Sequence, residues 1–269
     1  MSSWQTFLSS PAYVINLASR PQRLEPTIQR LQEAGFCNVR RWPAVDGTTA
    51  DLAALFASHG FKALADVDDF LIRPGSQGCF LSHFRLMKHA IEAGHELVHI
   101  FEDDIVFPSF WRSYAERFHA ATPRDWNVLF MGSQLDFDYL PRLSLARVLG
   151  KCQRKIPRFP AIHGPVAWMH DVVRLPLFCT HAYTLTRKAC MELTEWIGSQ
   201  AHPYAIDFMY YDGMRGHPRI SCFPLAWYAW NSRRLFPHTK ERGRTIHWIR
   251  RNSGLVFQDE DYGSDIIQR

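Results

Sequence analysis

Short apolar runs alternate with segments of helical periodicity along most of the chain. The first run, Ala12 to Leu17, predicts a strand, and the next segment repeats Leu24, Ile28 and Leu31 at helical spacing. Pro26 fits only in the first turn of that helix, and Gly35 is a natural stop. The same patterns predict strands at Val39–Val45, Leu97–Phe101, Trp126–Met131 and Ala182–Thr186, and helices at Ala50–His59, Gly78–Gly94, Phe110–Ala121 and Lys188–Ile197.

Strands separated by helices predict an α/β fold with a mainly parallel, Rossmann-like sheet flanked by helices. The chain has 269 residues, of which 46% are hydrophobic, and this suffices for one large core. We therefore expect a single domain over residues 1–269.

Three consecutive acids interrupt an apolar stretch, FEDDIVF at Phe101–Phe107. An unpaired carboxylate buried beside a strand costs several kcal/mol or takes up a proton. Glu102, Asp103 and Asp104 are therefore predicted at the end of the strand Leu97–Phe101, facing something positive.

The turn at Asn16–Arg23 follows the first predicted strand, and ligands of open α/β sheets bind beyond the carboxyl ends of the strands. A diphosphate held by a divalent cation explains both this turn and the acids, because hard oxygen ligands suit Mg²⁺ or Mn²⁺. The sequence has no glycine-rich phosphate loop, so metal and arginines are expected to hold the phosphates.

Membrane and redox signals are weak. The apolar runs are shorter than the roughly 18 residues of a membrane span, and Met1 to Ser10 has neither a basic nor an apolar leader region. The six cysteines contain no C-x-x-C pair, so reduced thiols in the cytoplasm are expected.

Positive charge is concentrated in two segments of a chain whose net charge is +5. Arg142–Arg158 contains six Lys or Arg and no acid, and Arg233–Arg251 contains seven against Glu241 alone. Solvated loop faces are the simple interpretation. Two runs of one sign favour a phosphorylated acceptor or peripheral association with an anionic inner membrane face.

Short motifs then follow in a fixed order: VINLASRPQR at Val14–Arg23, PAVDG at Pro43–Gly47, GCFLSH at Gly78–His83, FEDDIVF, THAYTLTRKA at Thr180–Ala189, YAID ending at Asp207, and Gln258 followed by SDI at Ser264–Ile266. In this order and spacing the chain resembles glycosyltransferase family 25. The family includes bacterial lipopolysaccharide galactosyltransferases and collagen hydroxylysine galactosyltransferases.

The resemblance implies a glycosyltransferase A-type fold. It also implies an inverting transfer from a uridine diphosphate (UDP) sugar with a divalent cation, usually Mn²⁺, with Mg²⁺ as the alternative. The expected donor is UDP-galactose, with UDP-glucose next. The expected acceptor is a hydroxyl of an anionic glycan or glycolipid, lipopolysaccharide or another surface glycan. A nucleotide-binding half would cover about residues 10–135 and an acceptor-side half about 136–269.

The resemblance also assigns the nucleotide and metal sites. Asn16, Arg20 and Arg23 would flank the nucleotide, and Ala18 stands where many members have an acidic or longer polar residue. Asp104 would bind the metal, with Asp103 as a second ligand or a ribose contact. Glu102 is the first acid of the family's triplet, the counterpart of the D-x-D motif of this fold, and its role stays open, since it could simply cap the next helix or pair with a neighbouring arginine. His181 either completes the metal shell or hydrogen-bonds a sugar.

The remaining roles keep their alternatives. Ser82 and His83 would lie in the donor pocket, although a histidine in an apolar helix is more often a hydrogen-bonded core residue. Gln258, Ser264 and Asp265 would close over the nucleotide or simply pack. Asp207, with Asp212 behind it, would be the base that takes the acceptor's proton, and otherwise a helix cap or an ion-pair partner.

Two other function classes also fit clustered acids. A metal-dependent nuclease or phosphatase would suit the basic segments, but it leaves the Arg20 and Arg23 turn and the SDI tail unexplained, so no nucleic acid partner is expected. A noncatalytic nucleotide-sugar binder would retain the fold without turnover.

Overall fold

A computed structural model of the protein describes residues 3–62, 69–107, 111–121, 126, 128–134, 178–210, 253–254 and 256–259. The helices are α1 (Ser3–Ser9), α2 (Pro21–Ala34), α3 (Leu52–Ser58), α4 (Pro74–Glu92), α5 (Trp111–Ala121) and α6 (Arg187–Gly198). The strands are β1 (Ala12–Asn16), β2 (Val39–Pro43), β3 (Leu97–Glu102), β4 (Ile105–Val106), β5 (Val128–Gln134), β6 (Phe178–Thr186), β7 (Ser253–Gly254) and β8 (Phe257–Gln258). Residues 206–210 are also helical.

The central sheet has the strand order β2-β1-β3-β6-β5-β7. Strand β1 is parallel to both β2 and β3, and β6 runs antiparallel between β3 and β5. Because β7 is antiparallel to β5, four of the six strands point the same way. The predicted α/β fold, a mostly parallel sheet flanked by helices, is confirmed.

The order of the first three strands creates a switch point at one edge of the sheet. After β1 the chain adds β2 on one side and β3 on the other, so the connections leave the carboxyl ends of β1 and β3 in opposite directions. Ile15 of β1 is in register with Glu102 of β3. Such a position leaves a crevice between the two strand ends, where ligands of open α/β sheets bind.

Helix α4 approaches the loop after β2 more closely than any side chain would allow. A Cβ on Gly78 would lie 2.5 Å from the Val45 carbonyl oxygen, and a Cβ on Gly47 would lie 1.7 Å from that of Pro74. The Ser82 hydroxyl donates to Gly78 O at 2.7 Å and accepts from the Val45 N–H at 2.8 Å. The PAVDG and GCFLSH motifs are therefore two sides of one backbone contact.

Most predicted elements are present, with differences at their ends. Helix α2 begins at Pro21, so Pro26 lies in its second turn, and the first-turn prediction was wrong. Helix α4 begins at Pro74, a residue whose fixed φ suits the first helical position. Strand β6 begins at Phe178, ahead of the predicted start.

Helix α1 was not predicted. It is seven residues long, too short for a clear periodic signal, and it is held by tertiary contacts. Phe7 is buried, and the Trp4 ring stacks on it at 5.4 Å. The buried His99 ring lies between the Phe7 carbonyl oxygen and the Thr184 hydroxyl, 2.7 Å from each.

Among the described residues no helix combines the length and apolar character needed to cross a membrane.

Candidate active site

The three acids leave β3 at the switch point. Glu102 is the last residue of β3, and Asp103 and Asp104 form the turn that leads into β4. The prediction that they lie at the strand end is confirmed. Their side chains nevertheless take different directions, and their partners differ accordingly.

Asp103 faces the first βα turn. The Asn16 side-chain amide donates to Asp103 Oδ2 at 2.6 Å, and Arg23 Nη1 lies 3.6 Å from Oδ1. The Thr27 hydroxyl donates to the Asp103 backbone carbonyl at 2.7 Å. The positive group expected opposite the acids is therefore Arg23, which is itself buried.

Asn16 links three parts of this edge. Besides its bond to Asp103, its amide donates to the Arg20 carbonyl oxygen at 2.9 Å, and its Oδ1 accepts from Arg41 Nε at 3.1 Å. The structure thus brings together Asn16, Arg20, Arg23 and Asp103, the predicted nucleotide contacts, beside the carboxyl end of β1.

Glu102 and Asp104 share a different donor. The Gln258 side-chain amide donates to Glu102 Oε2 at 3.3 Å and to Asp104 Oδ2 at 3.2 Å. Pairing of β4 with β8 places it there, since Ile105 and Gln258 are in register. The other oxygen of Asp104, Oδ1, is buried and has no hydrogen-bond partner among the described residues.

Burial and mutual repulsion set the protonation of this pair. Burial, followed by the charges of Asp103 and Asp207, raises the pKa of Glu102 to about 7. Burial and the charges of Glu102 and Asp103 raise the pKa of Asp104 well above its usual range, although Arg23 and the Gln258 bond oppose the shift. Burial thus favours the protonated form of both carboxyl groups unless a cation compensates their charge.

Asp207 is linked to the same cluster through β6, since it accepts a bond from Cys179 and the hydroxyl of the next residue, Thr180, donates to Glu102 Oε1 at 3.4 Å. Its carboxylate accepts hydrogen bonds from the backbone N–H groups of Phe208, at 2.9 Å, and of Cys179. Burial raises its pKa, and these bonds counteract the shift. Cys179 has a φ of 67°, a left-handed conformation that is unusual for a residue other than glycine. Such conformations concentrate at functional sites.

His83 lies beneath Glu102 on α4. Its Nδ1 is 2.8 Å from the Tyr183 hydroxyl, and its Nε2 is 3.6 Å from Glu102 Oε1. Burial lowers the pKa of His83 to about 3, so the ring is neutral and its contact with Glu102 is not an ion pair. The Ser82 hydroxyl, by contrast, is engaged in hydrogen bonds with the backbone of Val45 and Gly78.

Cys79 is a potential metal ligand that was not predicted. Its sulfur, His83 and a Glu102 oxygen offer ligand atoms that all lie within 4.8 Å of one another. The signal was present in the sequence, because Cys79 and His83 are four residues apart and so share one helix face.

His181 lies in β6 and is fully buried. Its Nε2 donates to the Val256 carbonyl oxygen at 3.1 Å, while its Nδ1 has no partner among the described residues. Burial lowers its pKa to about 4, which leaves a neutral imidazole. The absence of a side chain at Gly132 makes room for the ring, since a Cβ there would lie 2.3 Å from Nε2.

Other predicted residues lie outside the described part of the chain. These are Asp212, Ser264, Asp265 and the basic segments 142–158 and 233–251.

The family is established by comparison with known proteins. The sequence profile of glycosyltransferase family 25 (LPS biosynthesis protein) matches residues 9–210. These residues include the acids of β3, His83 and Asp207, and they cover most of the chain. The protein therefore belongs to glycosyltransferase family 25, as its motifs predicted.

Curated relatives match a shorter stretch. A glycosyltransferase 25 family member of Aedes aegypti is 34% identical over 129 residues, 46% of this chain and 21% of that protein. The inactive glycosyltransferase 25 family member 3 of Homo sapiens is 32% identical over 127 residues, 45% of this chain and 21% of that protein. The match thus spans about a fifth of each relative's length.

Two solved structures show distant similarity. A glycosyltransferase involved in the glycosylation of the major capsid of PBCV-1 has a TM-score of 0.43 and 8% identity, with 96% of each chain covered. Mouse xyloside xylosyltransferase 1, in its apo form, has a TM-score of 0.38 and 13% identity, with 79% of this chain and 83% of that one covered. Similarity at this level supports no conclusion about function.

Proposed function

We propose that this protein is an inverting, metal-dependent glycosyltransferase that moves a hexose from a UDP-sugar to a hydroxyl of a glycan acceptor. The observation that carries the proposal is the placement of Glu102 and Asp104 at the switch point of β1 and β3, with Asp207 in the same cluster. Membership of glycosyltransferase family 25 supports the class of reaction. Galactose is the first candidate sugar and glucose the second.

The acids fit a divalent cation. Asp104 Oδ1 is buried without a hydrogen-bond partner among the described residues, and burial and neighbouring acids raise the pKa values of Glu102 and Asp104. Such oxygens suit Mn²⁺ or Mg²⁺. Asp104 would hold the cation with Glu102 beside it, and the cation would stabilise negative charge on the leaving diphosphate.

Asp103 has a different task in this proposal. Its carboxylate is engaged by Asn16 and Arg23, so it orients the first βα turn against the acids. Asn16, Arg20 and Arg23 would then meet the nucleotide from the β1 side of the crevice. His181, whose Nδ1 has no partner among the described residues, remains a proposed metal or sugar contact.

Asp207 is the proposed base. It would accept the proton of the acceptor hydroxyl on a carboxylate oxygen as the new bond to the sugar forms. The N–H groups of Phe208 and Cys179 fix its orientation. Burial raises its pKa towards the operating pH, which makes a carboxylate a better proton acceptor.

The proposed acceptor is an anionic glycan or glycolipid, such as lipopolysaccharide, at the inner membrane face. The basic segments 142–158 and 233–251 carry six and seven Lys or Arg, and a Lys or Arg near an anionic surface contributes about 1 kcal/mol. The matched family is described as an LPS biosynthesis protein family.

The test is binding and turnover of a panel of nucleotide sugars, with and without Mn²⁺. We expect one UDP-sugar to be hydrolysed or transferred in a metal-dependent way. Asp104→Asn should lower turnover by at least about 100-fold, because the lost charge stabilisation amounts to several kcal/mol. Glu33→Gln, which changes an exposed acid on α2, is the matched control and should retain activity. Equal turnover in Asp104→Asn would contradict the proposal.

A noncatalytic nucleotide-sugar binder is the second candidate. It is favoured by one observation, the similarity to a human relative whose name describes it as inactive. Metal-dependent UDP binding without turnover of any donor in the presence of acceptor glycans would establish this alternative.

A further inference from the structure

Cys79, His83 and Glu102, the first of the three acids, form a cluster of potential metal ligands. Cys79 and His83 lie one turn apart on α4, and Glu102 ends the neighbouring strand β3. Their ligand atoms all lie within 4.8 Å of one another. Among the described residues, this is the group of ligand atoms that meets this distance.

His83 directs its Nε2 atom towards the Glu102 carboxylate, 3.6 Å away. The ring is fully buried, and its Nε2 has no hydrogen-bond partner among the described residues. Its other nitrogen, Nδ1, is 2.8 Å from the Tyr183 hydroxyl. Metal-ligating histidines almost always donate a hydrogen bond from their second nitrogen, which fixes the orientation of the ring. The Tyr183 hydroxyl oxygen can accept such a bond from Nδ1.

We propose that Cys79, His83 and Glu102 bind a thiophilic divalent cation such as Zn²⁺. Thiolate, imidazole and carboxylate are the three ligand types of protein zinc sites. Two light-atom ligands of a tetrahedral zinc ion lie about 3.4 Å apart, close to the 3.6 Å between His83 Nε2 and Glu102 Oε1. Three protein ligands leave the fourth position of a tetrahedral ion open to solvent or substrate.

This site differs from the proposed oxygen site in chemistry, but it shares Glu102. A soft cation held by Cys79 and His83 would draw Glu102 away from Gln258 and Asp104. Zn²⁺ is therefore expected to inhibit the Mn²⁺-dependent reaction. This consequence rests on the proposed function, whereas binding of Zn²⁺ itself does not.

The binding test uses the whole chain, stripped of metal by a chelator and titrated with Co²⁺ under reducing conditions. A cobalt–thiolate bond gives a charge-transfer absorption band. We expect the band in the wild type and in Cys37→Ser, a control that removes an exposed cysteine. The band should be absent in Cys79→Ser.

Affinity for Zn²⁺ is then measured by competition with a chromogenic chelator. Cys79→Ser, His83→Gln and Glu102→Gln should each weaken binding by at least about 100-fold, beyond the 10–100-fold typical of outer-shell partners. Circular dichroism checks that each variant is folded, and the three variants test the site independently.

The proposal is overturned if the wild type shows no charge-transfer band, or if folded Cys79→Ser retains both the band and the affinity for Zn²⁺. The metal-binding tests contain no nucleotide or sugar, so a protein without transferase activity can still bind the metal. A wild-type protein that fails to bind Co²⁺ or Zn²⁺ overturns this proposal but does not contradict the proposed transferase function.

Discussion

Glu102 is the residue at which the electrostatics of the site can be measured directly. Its pKa is raised from the ordinary value of 4.5 to about 7, first by burial and then by Asp103 and Asp207. A carboxyl group with a higher pKa in the folded state takes up a proton on folding between those two values. Its ionisation therefore destabilises the fold as pH rises towards and past 7.

We predict that metal-free wild type loses stability relative to Glu102→Gln between about pH 5 and about pH 8.5, by about 1–3 kcal/mol. The lower end of this range allows for solvent around a side chain that is 23% exposed. Urea denaturation of both proteins at the two pH values measures the difference. Comparison with the variant cancels the buried histidines, whose lowered pKa values affect both proteins alike.

A difference between the two proteins that does not change with pH would show that Glu102 titrates normally. Added Mn²⁺ should diminish the pH dependence, because cation binding favours the ionised carboxylate at every pH tested.

At the scale of single residues, the sequence predicted the position of the three acids at the strand end but not the partner of each carboxylate. Three acids after an apolar strand must lie at its end, and the structure agrees. Which acid meets Arg23 and which meets Gln258 depends on α2 and β8, elements far away in the chain. Cys79 was missed because its significance depends on Glu102 across the α4–β3 contact.

At the scale of the elements, the close backbone contact between α4 and the loop after β2 positions part of the candidate site. Gly78 lies against the Val45 carbonyl oxygen, and Ser82, one turn further on, holds the same residue. This contact fixes the position of α4, and with it the positions of Cys79 and His83 beneath Glu102.

We predict that Gly78→Ala destabilises the protein by at least about 2 kcal/mol, since a Cβ 2.5 Å from a backbone oxygen forces α4 and the loop apart. The matched control is Gly198→Ala in α6, where a Cβ meets nothing within 4 Å. Glycine to alanine in a helix ordinarily stabilises by about 0.5–1 kcal/mol, so the control should be neutral or better.

Chemical denaturation of the two variants and the wild type gives both numbers. If Gly78→Ala proved as stable as Gly198→Ala, the close approach of α4 to Val45 would be wrong.

At the scale of the whole molecule, we expect acceptor binding and donor binding to differ in their dependence on salt, because the basic segments are proposed to act on the acceptor alone. High salt should weaken binding to acceptor or to anionic vesicles at least about tenfold, because exposed cations are screened within roughly 10 Å at 0.1 M ionic strength. Donor binding, for which we propose buried groups such as Arg23 and Asp104, should change little.

Vesicle sedimentation and calorimetry with UDP, each at low and high salt, measure the two affinities. A control with Lys and Arg of 142–158 replaced by Ser should lose the salt-sensitive part alone. Equal salt sensitivity of acceptor and donor binding would contradict this division.

The sequence predicted the α/β class and most element positions, since these follow from local periodicity and turn residues. It did not predict that β6 lies antiparallel between β3 and β5, because strand order depends on contacts between distant residues. It also missed α1, whose seven residues are held by Phe7 and His99 rather than by their own propensity.

The short ribbon of β4 and β8 has a consequence for the order in which the protein matures. Gln258 comes 154 residues after Asp104 in the chain, yet its amide is the donor that links Asp104 to Glu102. A nascent chain emerges from the ribosome with its N-terminal part first, so β1, β2 and β3 can pair long before β8 exists. The growing polypeptide can therefore carry a formed sheet edge whose acids are not yet joined, and the link between them is completed only after Gln258 has been synthesised.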